Sequence, residues 1–290
     1  THCAGHSLGE YTALIATGAL GFTDGVRLVS ERAEAMHDAG LENPGTMAAV
    51  LGLDDEQVEV ACRLADSDVW VANFNAPGQI VIAGSAEGVA KATVHAKALG
   101  AKKVMALPVS GAFHTSFMAP ARDRLRKAIA DAEPRDTEVP VVSNVDALPH
   151  DRGDEWAALL SAQLCSPVRW KHCLLTLAEA GVDTFAELGP GGVLTGMAKR
   201  PGTGAGPTRA PQSGRGHRYG LGIGMVGAEA MLRLFPEQER NQRAFRALTR
   251  FLDLLDELDT DVAQRPALDP LALSCQLKLL WPPGYLPPLP

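Results

Sequence analysis

Apolar and polar positions change their period several times along the chain, and each change marks an element. After a short stretch over 1–4, Gly5-His6-Ser7-Leu8-Gly9 leads into a run of Ala, Leu and Ile from Glu10 to Leu20. That order predicts a strand, a tight turn and a buried helix. A second helix is predicted from Thr23, a good N-cap, with Val26, Val29, Ala33 and Met36 forming one apolar stripe and Arg32 beside it, its stem covered. Between Gly45 and Val109 the period shortens to that of strands: 47–53, 69–74, 79–83 and 103–108, with helices opened by Asp54-Asp55 and running over 86–99. A turn at Asn75-Ala76-Pro77-Gly78 joins the middle strands.

The resulting βαββαβ order is that of a ferredoxin-like subdomain. It is set into a larger α/β core made of 1–44 and 110–200. The core resumes with a helix near 117–132, a β-branched strand over 139–142, helical stretches over 155–164 and 168–180, and a strand over 184–188 that meets Gly189-Pro190-Gly191-Gly192 before another helix. Strands separated by helices predict a mostly parallel sheet, an α/β-hydrolase-like core. Past Arg200 the pattern breaks into Gly, Pro, Ser and Arg over 201–217, the composition of a flexible linker. Over 218–290, Phe245, Leu248, Leu252, Leu255 and Leu258 return to helical spacing, Asp269-Pro270 suits a helix start, and the Pro-rich end from Trp281 is not expected to fold.

Composition narrows the function classes. The 290 residues, 46% hydrophobic and 21% charged, suffice for a sizeable core, and a net charge of -7 gives no basic field for nucleic acid or an anionic membrane. The five cysteines are odd in number and lack metal or redox spacing, so a reduced, cytoplasmic protein without a metal is expected. No apolar run reaches the roughly 18 residues that span a bilayer, and no leader opens the chain. A chain beginning at Thr1 is expected to be a fragment.

The chemistry centres on Ser7. A serine between glycines on a strand-to-helix turn can hold the strained backbone that pushes its hydroxyl outward, and the Leu8 amide at the helix start can stabilise an oxyanion. Its base is His114, which follows the last strand of the insert in Ser110-Gly111-Ala112-Phe113-His114, at the seam between subdomains where sites form. His37, His95, His150 and His172 fall on helices or polar loops and read as structural. His6 adjoins the serine, but neighbours on a tight turn point apart. The run Gly189 to Gly192 lacks the lysine and hydroxyl of a phosphate loop and reads as a packing turn.

Four motifs in order, Gly5-His6-Ser7-Leu8-Gly9-Glu10-Tyr11, Asn73-Phe74-Asn75-Ala76-Pro77-Gly78-Gln79, Gly111-Ala112-Phe113-His114 and Glu187-Leu188-Gly189-Pro190-Gly191, resemble those of bacterial malonyl-CoA:acyl-carrier-protein transacylases and related acyltransferase domains. The resemblance covers essentially all of 1–200. It implies ping-pong malonyl transfer in fatty-acid biosynthesis, from malonyl-CoA through a Ser7 ester to the phosphopantetheine thiol of acyl carrier protein, without a separate cofactor. It also implies that His114 is the base, oriented by a main-chain carbonyl at Gln163, and that Arg32 grips the malonyl carboxylate, which a planar guanidinium can do through two hydrogen bonds. Phe113 and Leu8 resemble the malonyl-selective form of these motifs, and Asn75 has a counterpart near the histidine.

The family's leading strand and Gly-Gln-Gly-Ser-Gln loop have no match here, which implies an N-terminally truncated transferase with weak or absent activity. Residues from about 218 to 289 resemble the middle helical region of RecO-type DNA-repair proteins, without that family's barrel or zinc cluster, so DNA binding is not expected. A junction of two reading frames near 201–217 is the expectation that follows. Two other functions compete: a serine hydrolase or thioesterase, which would have no use for Arg32, and a DNA-repair adaptor acting through the tail.

Overall fold

The structure is a computed structural model that describes residues 2–109, 111–188, 192–199 and 206–207. The chain divides into two compact units, 1–185 with 193–208, and 186–192 with 209–290. Apart from 186–188 and 192, the second unit, the RecO-like segment included, lies outside the described residues.

The first unit opens with β1 (Cys3–Ala4), which runs into Ser7 and helix α1 (Leu8–Thr17). The helix begins two residues earlier than the apolar run suggests. It stops at Gly18, whose φ of 84° is left-handed, with its N–H on the Ile15 carbonyl. Helix α2 (Phe22–Glu42) starts from Gly21, not Thr23, because Gly21 holds the extended conformation that precedes a first turn. Its buried face is Gly25, Leu28, Arg32, Ala35 and Ala39. The stripe is therefore turned from the expected one: Ala33 is exposed and Arg32 lies on the buried face itself. Close packing explains the shift, since a Cβ on Gly25 would come within 2.4 Å of Ile15 Cδ1 on α1.

The insert follows as β2 (Thr46–Leu51), α3 (Asp55–Leu64), β3 (Val69–Ala76), β4 (Gln79–Gly84), α4 (Ala86–Ala98) and β5 (Lys103–Ala106). Its four strands form one antiparallel sheet in the order β3-β4-β2-β5, the ferredoxin-like arrangement. Period-two alternation sends Ala48, Val50, Ile80 and Ile82 into a core under α3 and α4. The alternate positions Met47, Ala49, Val81 and Ala83 pack on Ala112 and Phe113. Asp54 caps α3 in a reciprocal capping box with Gln57. The register of β3 shifts between Val71 and Asn73 and again between Phe74 and Ala76. The strand thus extends past Asn75, and the turn tightens to Pro77-Gly78, with Gly78 at φ 69°.

The remaining core comprises α5 (Ala119–Asp131), β6 (Val141–Val142), β7 (Pro149–His150), α6 (Trp156–Gln163), α7 (Trp170–Glu179), β8 (Thr184–Phe185), α8 (Val193–Ala198) and β9 (Gly206–Pro207). Tyr11, Leu14, Leu28, Leu125, Ile129, Trp156 and Leu160 close one apolar cluster around α1, α2, α5 and α6; each such buried aliphatic contributes about 1.5–3 kcal/mol relative to exposure. β1 and β6 pair in parallel, while β7 adds an antiparallel edge. β8 pairs in parallel with β9, inside the stretch expected to be linker, instead of extending the β1-β6 sheet. Among the described residues the sheet around Ser7 is therefore small and mixed. Helix α7 starts later than its apolar pattern because Val168 bridges Asn73 of β3, with Val168 N–H on the Ala72 carbonyl at 2.8 Å and Phe74 N–H on the Val168 carbonyl at 2.9 Å.

Candidate active site

Ser7 sits where β1 ends and α1 begins, at φ 52° and ψ -104°, a strained backbone for a residue with a side chain. Gly5 makes the bend possible: a Cβ there would lie 1.9 Å from the Gly9 carbonyl carbon and oxygen. Gly9 itself is not sterically required, since a Cβ there would meet nothing within 4 Å. Leu8 opens α1, so its N–H is among the first four amides that have no partner within a helix.

His114 is likewise strained, at φ 62°, and is buried at 5% exposure. Its Nδ1 lies 2.8 Å from the Gln163 carbonyl oxygen. A carbonyl can only accept, so Nδ1 carries the proton and Nε2 presents a lone pair. That Nε2 is 2.9 Å from Ser7 Oγ and accepts its hydroxyl proton. Burial first, and the Arg32 charge second, push the imidazole down to about 3, so in the free site it is neutral at neutral pH and its Nε2 lone pair stays open to the serine hydroxyl.

Arg32, 6% exposed, donates from Nη2 to Ser7 Oγ at 2.9 Å and to Gln163 Oε1 at 3.3 Å. Burial holds its pKa below the usual guanidinium value. Its Cζ lies 5.7 Å from the centre of the Tyr11 ring. Its Nε is buried, and the Tyr11 hydroxyl is the side-chain partner that the guanidinium has on α1. Gln163 is central: its carbonyl holds His114, its Oε1 takes Arg32, and its Nε2 donates to the Ser7 carbonyl at 3.0 Å and to Glu10.

The structure thus brings Ser7, His114, Gln163 and Arg32 together, with Leu8 adjoining. Phe113 is half-buried and bridges the core cluster and the outer face of the insert sheet. Asn75 goes elsewhere: its Oδ1 accepts from His6 Nε2 at 2.8 Å, so it supports His6 and not His114. The bulged register of β3 accounts for this, since it re-aims the residues after Val71. His6 turns from the serine onto Asn75 and the Trp170 ring, and burial lowers its pKa. A cavity of ≈ 780 Å³ at the seam, bounded by Cys62, Trp70, Phe74, Val145 and Arg169, is not lined by Ser7 or His114.

Two residues of the site were not singled out from the sequence. Asn144 is wholly buried and spans the elbow, with Oδ1 accepting from Ser7 N–H at 2.7 Å and Nδ2 donating to the Gly5 carbonyl at 2.8 Å. Glu10, also wholly buried, accepts from Asn144 N–H at 3.2 Å and from Gln163 Nε2. A signal existed for Asn144: it lies just past the β-branched pair Val141–Val142, at the carboxyl end of a parallel strand. Among the described residues no cluster of three or more His, Cys, Asp or Glu could hold a metal, and no helix is long and apolar enough to cross a membrane.

The acyl transferase domain family matches residues 1–260. The malonyl CoA-acyl carrier protein transacylase of Escherichia coli K12 is 45% identical over 199 residues, which is 68% of this chain and 64% of that protein. The transacylase of Bacillus subtilis 168 is 44% identical over 200 residues, 68% of this chain and 63% of its own length. Among solved structures, the acyl-carrier-protein S-malonyltransferase of Burkholderia pseudomallei superposes with a TM-score of 0.68 at 43% identity, covering 71% of this chain and 68% of that one. A type II polyketide acyl-carrier protein in complex with its malonyl-transacylase gives a TM-score of 0.69 at 39% identity, covering 72% and 68%. The chain therefore spans just under two thirds of the length of the curated relatives named here, and none of these matches supports the RecO resemblance.

Proposed function

The chain belongs to the acyl transferase domain family, and from that premise we propose that it carries the nucleophile, base and carboxylate grip of malonyl transfer from malonyl-CoA to acyl carrier protein. Ser7 Oγ attacks the malonyl thioester carbonyl while His114 Nε2 takes the hydroxyl proton. The tetrahedral oxyanion is met by the Leu8 amide. As the C–S bond breaks, His114 returns the proton to the departing CoA sulfur, leaving malonyl as an ester on Ser7. The phosphopantetheine thiol of the carrier protein then attacks that ester, with His114 serving again as base and acid. Arg32 binds the free malonyl carboxylate, and Phe113 crowds the extra methyl of a branched analogue.

The observation that carries this reading is the double contact on one oxygen: Ser7 Oγ lies 2.9 Å from the lone-pair nitrogen of His114 and 2.9 Å from Arg32 Nη2. A nucleophile held beside a buried cation suits an acyl group that ends in a carboxylate. The chemistry needs no cofactor, since CoA and phosphopantetheine arrive as parts of the substrates, and its setting is the cytoplasm. Residues 1–200 form the transferase part in this reading, joined by β9 at 206–207, and the family match runs on to 260. Salt-sensitive binding of the segment beyond it to single-stranded DNA would be needed to give that segment a role of its own.

Incubation with malonyl-CoA followed by intact-mass measurement tests the proposal. The expected result is a malonyl adduct on Ser7 that Ser7→Ala abolishes. An adduct at another residue, or none, sinks it.

A further inference from the structure

Every polar group that sets the position of the reacting atoms leads back to one carboxylate. The Ser7 N–H and the Gly5 carbonyl are both held by the Asn144 side chain, and the Asn144 N–H in turn donates to Glu10 Oε1 at 3.2 Å. On the other side, the Gln163 carbonyl holds His114 and the Gln163 Oε1 accepts from Arg32, while Gln163 Nε2 donates to Glu10 Oε2. The β1-β6 ladder ends at Ala4 and Val142, so Asn144 continues by side chain a pairing that the backbone abandons at the bend.

We propose that Glu10 is a positioning residue of the transfer reaction: its two oxygens fix the elbow through Asn144 and the base and guanidinium through Gln163, and so couple the three groups that touch the substrate.

The shell of Glu10 is made of donors only, the Asn144 N–H, the Gln163 carboxamide N–H and the Ser143 hydroxyl. A carboxylate accepts from all of them. It thereby selects the orientation of the Gln163 carboxamide, with nitrogen toward Glu10 and oxygen toward Arg32. The reverse orientation would set the carboxamide N–H against the guanidinium N–H and the carboxamide oxygen against the Glu10 carboxylate, and Arg32 would lose its Gln163 acceptor. A neutral oxygen is also the acceptor that holds a guanidinium without quenching its charge, so Arg32 remains a cation for the substrate. A glutamine at position 10 has the same volume but must present N–H to a donor on one side, whichever way it turns, and that site then loses a hydrogen bond.

The proposal rests on Ser7 being the nucleophile but not on malonyl being the acyl group, so the test uses an uncharged electrophile. A fluorophosphonate forms an O–P bond with Ser7 Oγ as P–F breaks, His114 taking the proton and fluoride leaving. Labelling rates are followed by intact mass across pH 5.5 to 9 for the full chain. Glu10→Gln is expected to be labelled roughly tenfold to a hundredfold more slowly at pH 8. Its pH profile should also differ in shape. Burial pushes the Glu10 carboxyl up to about 7, against the hydrogen bonds of Gln163, Asn144 and Ser143 and the charge of Arg32 on α2; Cys173 on α7 and Tyr11 on α1 are the other titratable groups that feel it. A proton on Glu10 faces a donor, so the native rate should fall as pH drops through that range, and Glu10→Gln should lack this limb.

Equal rates with profiles of the same shape overturn the proposal. If Glu10→Gln does not fold, Glu10→Asp decides: its shorter stem cannot reach both donors, so slow labelling that keeps the pH limb supports the proposal and native labelling overturns it. A native chain labelled at Ser7 that takes no malonyl from malonyl-CoA removes the malonyl reading and leaves this one standing. No labelling of the native chain at Ser7 removes both.

Discussion

The insert and the serine elbow obey opposite rules. In the insert, strands alternate, helices carry caps, and the sheet core is built from Val, Ile and Ala. Around the elbow, two residues with side chains, Ser7 and His114, hold positive φ, and an acid, a guanidinium, two carboxamides and an imidazole are buried together. Such features each cost free energy in an isolated element. Their concentration within one hydrogen-bonded group, while the insert shows few of them, teaches that the strain is local and is held by the Asn144 and Gln163 side chains. The insert sheet serves as the wall against which Ala112 and Phe113 pack, next to His114 in the chain.

That contrast can be broken most severely at Gly5. A methyl group 1.9 Å from the Gly9 backbone cannot be relieved by a side-chain rotation, so Gly5→Ala should destabilise the chain by more than about 3 kcal/mol in urea unfolding and abolish Ser7 acylation. Native-like unfolding of Gly5→Ala would show that the bend is not tight. Next in size, Arg32→Ala should leave the elbow folded yet lower malonyl loading of Ser7 by roughly a hundredfold or more, while uncharged acyl groups load at least as well as before. Equal loss for both acyl classes would favour the hydrolase reading, which has no use for this cation. The smallest effect belongs to the insert: Asp54→Ala removes the capping box of α3 and should cost about 1 kcal/mol in thermal unfolding without changing the rate of Ser7 labelling. A slowed rate would mean that the two regions are mechanically coupled.

The same contrast explains what could be read from the chain. The insert was legible because its signals are local: alternation in 47–53 and 79–83, a cap at Asp54, a Pro-Gly turn. Its bulges in β3 were not, since a register shift depends on the neighbouring strand and on Val168 from far along the chain, and the contact of Asn75 with His6 was not foreseen. Ser7 and His114 were legible through motifs, and Arg32 and Gln163 through resemblance. Glu10 was hidden in plain view: an acid in the first turn of a helix reads as a favourable partner of the helix dipole, and only its burial shows otherwise. The buried face of α2 escaped because its small residues, among them Gly25 packed close against Ile15, carry little apolar signal.

The partner of His114 Nδ1 is main chain, and this has a consequence for how the protein can change. A side-chain carboxylate in that place could be deleted by a single codon, or gain a proton in acid. A peptide carbonyl does neither, so a substitution at position 163 can displace the imidazole by disturbing the carboxamide, yet an acceptor for Nδ1–H remains and the tautomer is kept. Evolution could vary the acyl specificity around this histidine without rewiring its proton.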